Sequence, residues 1–179
     1  MKVNLIFATI KRYVMKVIKS ISTIDSTILA AYILYKYGSM SHLKLQKLLY
    51  LIEGYHLAYF GGSSIIDDDF EAWVHGPVSR KIYNELKDKS ILYDDICFDL
   101  EEGEETPENI MNEQLSTEQI DLVNEVLEMY VSETGLTLEA ITHQQSPWIN
   151  ARGGVAPAEK CTNIINRSDM KEYFSNLMQ

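Results

Sequence analysis

The sequence predicts a mainly α fold (α+β in class), a compact helical domain with a few short strands inserted after the second core helix. Three observations lead there. The segment LKLQKLLYLIEGYHLAYF, residues 43–60, is the strongest periodic stretch of the chain, with Leu45, Leu48, Leu49, Ile52, His56 and Tyr59 on one helical face. The segment LSTEQIDLVNEVLEMYVSETG, residues 115–135, opens on a capping-box pattern, Ser116 and Gln119, and repeats Ile120, Val123, Leu127 and Tyr130 at helical spacing. The stretches that read as extended are short, and the first of them, residues 65–74, follows the first of these two helices.

The remaining elements follow in order. Residues 1–18 place Val3, Ile6, Phe7, Ile10, Tyr13, Val14, Val17 and Ile18 at helical spacing among Lys11, Arg12, Lys16 and Lys19. This reads either as a basic amphipathic helix for a partner or membrane surface, or as sequence upstream of a start at Met15, because MKV occurs at both Met1 and Met15. Residues 1–21 are therefore set apart as a basic extension, and residues 22–179 form the domain. A helix over residues 25–37 is opened by Ser22 or Thr23 and stopped by Gly38; Ser41 caps the next, which ends at Gly61-Gly62. Pro77 is expected at the first position of a helix running to Lys87, where its missing amide hydrogen costs nothing. Residues 91–100 alternate as a weak strand, and EEGEETPEN reads as a loop. Gly135 is expected to close the helix that Ser116 opens. Thr137 starts a short helix ending at His143, Ser146-Pro147 starts another stopped by Gly153-Gly154, Ile164-Ile165 forms a short strand, and Ser168 caps the last helix.

Of the 179 residues 46% are hydrophobic and 23% charged, an ordinary balance for one soluble domain able to bury its own core. Cys97 and Cys161 offer neither a disulfide framework nor paired metal spacing, which favours a reducing, cytoplasmic setting. The apolar run 28–35 falls far short of the ~20 residues a membrane span needs. Lys11 and Arg12 stand where an export cleavage site needs small residues. The net charge of -10 argues against nucleic acid and anionic membrane as partners and suits a basic protein. Charge is also segregated. Up to Tyr50 the only acid is Asp25, whereas residues 93–151 hold no Lys or Arg and begin with Asp94, Asp95, Asp99, Glu101, Glu102, Glu104, Glu105 and Glu108. A solvated acidic loop accounts for this as well as a partner surface does.

The chemistry-bearing residues form no obvious catalytic set. The four histidines, His42, His56, His75 and His143, lack metal-ligand spacing, and His56 fits a hydrogen-bonded core histidine. Cys97 lies among acids, which disfavour a thiolate, and Cys161 has no neighbouring histidine. No metal and no cofactor is expected. The stretch FEAWVHGPVSRKIYNEL, residues 70–86, reads as a structural corner: Trp73 to bury, His75 to bond backbone, Gly76 for an unusual backbone angle, Pro77 to enter a helix. THQQSPW, residues 142–148, has the same grammar.

These segments, KLQKLLYLIEGYHLAYFG, FEAWVHGPVSRKIYNEL and ITHQQSPWINARGG, occur in an order that resembles the Panacea domain, the family of SocA-like antitoxins and phage-associated relatives. Lys44, Leu45, Gln46, Lys47, Leu48, Leu49 and Tyr50 match its first motif. Glu71, Ala72, Trp73, Gly76, Pro77 and Val78 match the second, which in this chain also contains His75. Thr142, His143, Pro147 and Trp148 match the third. Gln144 and Gln145 stand where relatives often carry an acid. The resemblance implies a binding module rather than an enzyme: an antitoxin that neutralises a cognate toxin by direct contact, with Glu101, Glu102, Glu104 and Glu105 meeting a basic toxin face. The alternative is an adaptor, phage-associated or regulatory, that recruits a host protein, for example to a protease. An enzyme, such as a hydrolase of small molecules using His75, His143 and Glu71, ranks last. DNA binding is disfavoured by the net charge and by the absence of a helix-turn-helix pattern.

Overall fold

The computed structural model describes residues 21–87 and 92–179. Among them α1 (Ser26–Tyr37) starts where Asp25 accepts a hydrogen bond from the Thr27 amide, and it ends at Gly38. The cap is thus Asp25 rather than Ser22 or Thr23. β1 (Met40–Ser41) leads into α2 (His42–Tyr59), whose first turn is capped by the Ser41 hydroxyl. β2 (Phe70–Trp73) and β3 (Gly76–Ser79) form a hairpin, and α3 (Arg80–Leu86) follows without a break. β4 (Asp95–Ile96) returns to pair with β1. α4 (Pro107–Gln114), α5 (Thr117–Tyr130), α6 (Gly135–His143), α7 (Ser146–Arg152) and α8 (Arg167–Leu177) complete the order. The fold is mainly α with short two-stranded sheets, as the sequence predicts. The amphipathic helix expected before residue 21 lies outside the described residues.

α2 is the axis. Leu45, Leu48, Leu49, Tyr50, Leu51 and Ile52 are fully buried on successive turns, so the helix is covered on all sides and not on one face. α5, α6, α8 and β3 pack around it. Tyr59, expected on the buried face, is 60% exposed at the last helical position. A helix enclosed in this way must also satisfy its polar residues internally. Glu53 accepts from the Ile65 amide and the Ser64 hydroxyl and so ties residues 64–66 beneath the helix. His56 bonds the Ser63 carbonyl through Nδ1 and Gln119 through Nε2, while Gln119 also accepts from the Ser22 and Ser116 amides. One glutamine therefore joins the α5 capping box, α2 and the strand-like entry to α1.

Several expectations are corrected. Pro77 lies in β3, and Ser79 caps α3 two residues later. In the register Ala72↔Pro77 the proline nitrogen faces away from β2, so no ladder bond is lost. Gly135 does not close α5; it opens α6, where a Cβ would stand 3.1 Å from Ser41 Oγ and 3.3 Å from the Lys44 nitrogen. The loop read over residues 101–109 gives way at Pro107 to α4, which Thr106 caps in front of a first-turn proline. The last helix is capped by Asn166, not Ser168, whose own amide and hydroxyl bond to it. Among the described residues 92–100 the expected strand contracts to Asp95–Ile96, and Ile164 forms a single bridge to Glu71.

Two outcomes follow from this packing. A Cβ on Gly54 would lie 2.1 Å from the Phe174 ring, where α8 crosses α2. Gly54→Ala should cost about 3 kcal/mol in urea unfolding, and adding Phe174→Leu should recover part of that loss. Burial holds His42 and His56 near pKa 4, well below 6.5. The unfolded chain therefore binds more protons between pH 6.5 and 4, so stability should fall as pH drops through that window. Unfolding midpoints should shift less with pH in His56→Gln.

Candidate functional site

The hairpin β2–β3 has two outer edges, and different parts of the chain close them. Residues in non-hydrogen-bonded pairs, Ala72↔Pro77 and Phe70↔Ser79, direct their backbone groups outward. On the β2 side the Ala72 amide donates to the Asn163 carbonyl, the Ile165 amide donates to Phe70, and Arg152 Nη1 donates to the Ala72 carbonyl. On the β3 side the partners are side chains of α2. Lys47 Nζ donates to the Pro77 carbonyl at 2.9 Å. Gln46 Oε1 accepts from the Ser79 amide at 2.8 Å, and its Nε2 donates to the Ser79 carbonyl and to His42. Pro77 supplies no amide hydrogen, so this edge leaves no donor unmet.

Gly76 makes the approach possible. Its φ is +91°, and a Cβ there would lie 2.8 Å from Lys47 Cε and 2.9 Å from Thr142 Oγ1. Thr142 is buried and bonds the Glu139 carbonyl one turn back on α6. His75, in the hairpin turn, contacts Glu139 Oε1 through Nδ1 at 3.0 Å, and His143 Nε2 stands 4.0 Å from the same oxygen. His143 stacks on Trp148, with centroids 4.2 Å apart and planes at 18°, and Trp148 Nε1 donates to the Trp73 carbonyl. Trp73 Nε1 donates to Glu71, which forms a two-point ion pair with Arg80. Buried Arg152 donates to the carbonyls of Ala72, Ala156 and Glu159, fastening α7 to β2.

The electrostatics follow from burial. Burial pushes Lys47, which has no exposed surface, down to about 7, against the pull of the Glu139 carboxylate. Burial also holds His143 below the usual imidazole value, although Glu139 acts in the opposite sense. Glu71 titrates below the ordinary carboxylate range: burial raises it, but the hydrogen bonds from Arg80 and Trp73 prevail.

The model of the family described as antitoxin SocA-like, Panacea domain, matches residues 45–149. The chain belongs to that family. No curated protein and no solved structure matches it. The three sequence segments that carry the resemblance thus meet around one hairpin. Gln46 and Lys47 come from the first, Glu71 to Val78 form the hairpin, and Thr142, His143 and Trp148 brace its turn. Leu45, Leu48, Tyr50 and Val78 are core, and Lys44 Nζ reaches the Val131 carbonyl just past α5. Pro147 occupies the first turn of α7.

His75 and His143 converge, but on Glu139 rather than on Glu71, which belongs to Arg80. Glu139 escaped the sequence reading, although its place four residues before His143 on one helix was a usable signal. Arg80 and Arg152 also went unread, because their partners are distant in sequence. Among the described residues no group of three or more His, Cys, Asp and Glu is arranged to hold a metal ion. Glu101, Glu102, Glu104 and Glu105 lie away from the hairpin, exposed on the segment between β4 and α4.

Two measurements probe the hairpin. Gln46→Leu strands the buried Ser79 amide and should cost roughly 1–3 kcal/mol at any pH between 7 and 9, read by urea unfolding. Lys47 behaves differently. Its folded pKa lies below 10.5, so the unfolded chain holds more protons between pH 7 and 10.5 and the lysine's contribution to stability rises with pH there. The stability of the wild type relative to Lys47→Met should therefore increase from pH 7 to pH 10.

Proposed function

We propose that this protein is a cytoplasmic antitoxin that neutralises a cognate toxin by direct protein–protein binding, with no catalytic step of its own. Membership of the SocA-like antitoxin family carries the reading. Two features support it. The polar side chains of Gln46, Lys47, Glu71, Trp73 and Trp148 are engaged with one another or with backbone, which suits a scaffold better than a reaction centre. The exposed run Glu101, Glu102, Glu104 and Glu105 supplies negative charge for a basic face, such as that of a toxin acting on RNA or nucleotides. Among the described residues no helix is long and apolar enough to cross a membrane, and binding needs none.

The test uses the neighbouring gene, expressed in a bacterium alone and then with this chain. Growth arrest by the neighbour, relieved by this protein, with both chains eluting together, is the expected outcome. Rescue without a complex would overturn direct binding. Reversal of Glu101, Glu102, Glu104 and Glu105 to Lys should weaken the complex at least about tenfold at physiological salt and abolish rescue. Unchanged rescue would remove the acidic contact from the mechanism.

A further inference from the structure

The acidic segment is one wall of a groove to which the matched motif residues contribute only Leu45 among the described residues. α1 supplies its floor through Ala30, Ala31 and Leu34, joined by Leu45 of α2, Ile82 of α3 and Phe98 after β4. The cleft has a volume of about 600 Å3, and a neighbouring cleft of about 510 Å3 shares Thr27, Ala31, Phe98 and Glu104 with it. The two form a continuous trough along α1. From Thr27 to Leu34 the trough runs for about 10 Å, or two helical turns. Exposed Tyr35 packs edge-on against Phe98 at its side.

The rim carries one sign. Glu85, Asp95, Asp99, Glu101, Glu104 and Glu105 surround the apolar floor, and no Lys or Arg lines either cleft among the described residues. That combination selects its occupant by charge complementarity. A second copy of the groove would set carboxylates against carboxylates, and nucleic acid or an anionic membrane would be repelled in the same way. A short helix with apolar residues at i, i+3/i+4 and i+7, flanked by Lys or Arg, satisfies floor and rim together.

We propose that this groove is the docking site for a basic amphipathic helix of the partner protein. Its apolar anchors lie on Ala31, Leu34 and Phe98, and its cations meet Glu85, Asp99, Glu101 and Glu104. That the partner is a toxin rests on the antitoxin reading; the chemistry of the helix rests on the groove.

The probe is a fluorescein-labelled peptide of about five helical turns, built of Leu and Lys with the leucines on one face, alongside an isomer of the same composition in scrambled order. Binding to the full-length protein is followed by anisotropy at physiological salt. The amphipathic peptide should bind at least about tenfold more tightly than its isomer. Ala31→Arg on the floor and the exposed pair Glu101→Lys/Glu104→Lys on the rim should each weaken it about tenfold, with unfolding midpoints showing that both variants fold. Equal binding of the two peptides, or binding indifferent to Ala31→Arg, would reduce the groove to non-specific attraction and overturn the proposal. A dimer in light scattering that Ala31→Arg dissolves would overturn it in favour of a second copy. Carbodiimide cross-linking of Lys16 or Lys19 to Glu104 within one chain would overturn it in favour of the chain's own N-terminal residues. No toxin enters this assay, so its failure and a failure of neutralisation in the growth assay are distinguishable.

Discussion

Two adjacent side chains of α2 close the open edge of a hairpin, and much of the architecture depends on that contact. A two-stranded sheet leaves outward-facing amides and carbonyls on both margins, and burying them without partners is costly. Here the margin of β3 presents the Pro77 carbonyl and both polar groups of Ser79. Lys47 and Gln46 meet all three. Gln46 mimics a neighbouring strand, accepting and donating through one amide group. The proline removes the one donor that would otherwise be left over, and the glycine before it lets the lysine stem pass. This gives a physical reason for a helical motif and a Gly-Pro strand to occur in one chain.

The same enclosure governs the charges. α2 is covered along most of its length, and four of its buried ionisable residues are displaced from their solution behaviour: Lys47, His42 and His56 toward neutrality, Glu53 toward the protonated form. Arg152, on α7, is a buried guanidinium satisfied by backbone carbonyls rather than by a carboxylate. Such groups contribute little net stability relative to apolar replacements, but removing one strands its partners. They serve to fix which element meets which: α2 to β3, α7 to β2, and the entry of α1 to α5.

Interior and exterior therefore divide the work. The motif residues hold the frame, and the acidic trough along α1 lies on the exterior. A frame whose hairpin edges are closed from within can keep its shape while its rim varies, which suits the binding role proposed above.

Much of this was legible along the chain. Hydrophobic period and capping chemistry are local, so the main helices, the box at Ser116 and Gln119, the stop at Gly153 and the buried role of His56 could be read directly, as could the charge segregation that builds the rim. Other assignments failed where a local signal had two solutions. Pro77 suits a helix start and an outward-facing strand position equally well, and only the pairing of Ala72 with Pro77 and the reach of Lys47 select the strand. Gly135 can end one helix or open the next, and close contact with Ser41 and the Lys44 nitrogen selects the second. α4 was legible in principle, since Thr106-Pro107-Glu108 is a helix start, but the acids before it masked that signal. Glu139, Arg80 and Arg152 take their roles from partners brought near by folding. Period, caps and charge pattern were thus determined by the sequence itself, because they act between residues a few positions apart. The closed edge, the Glu139 junction and the apolar floor of the trough were decided by the tertiary structure, because each joins residues whose proximity only the packed chain creates.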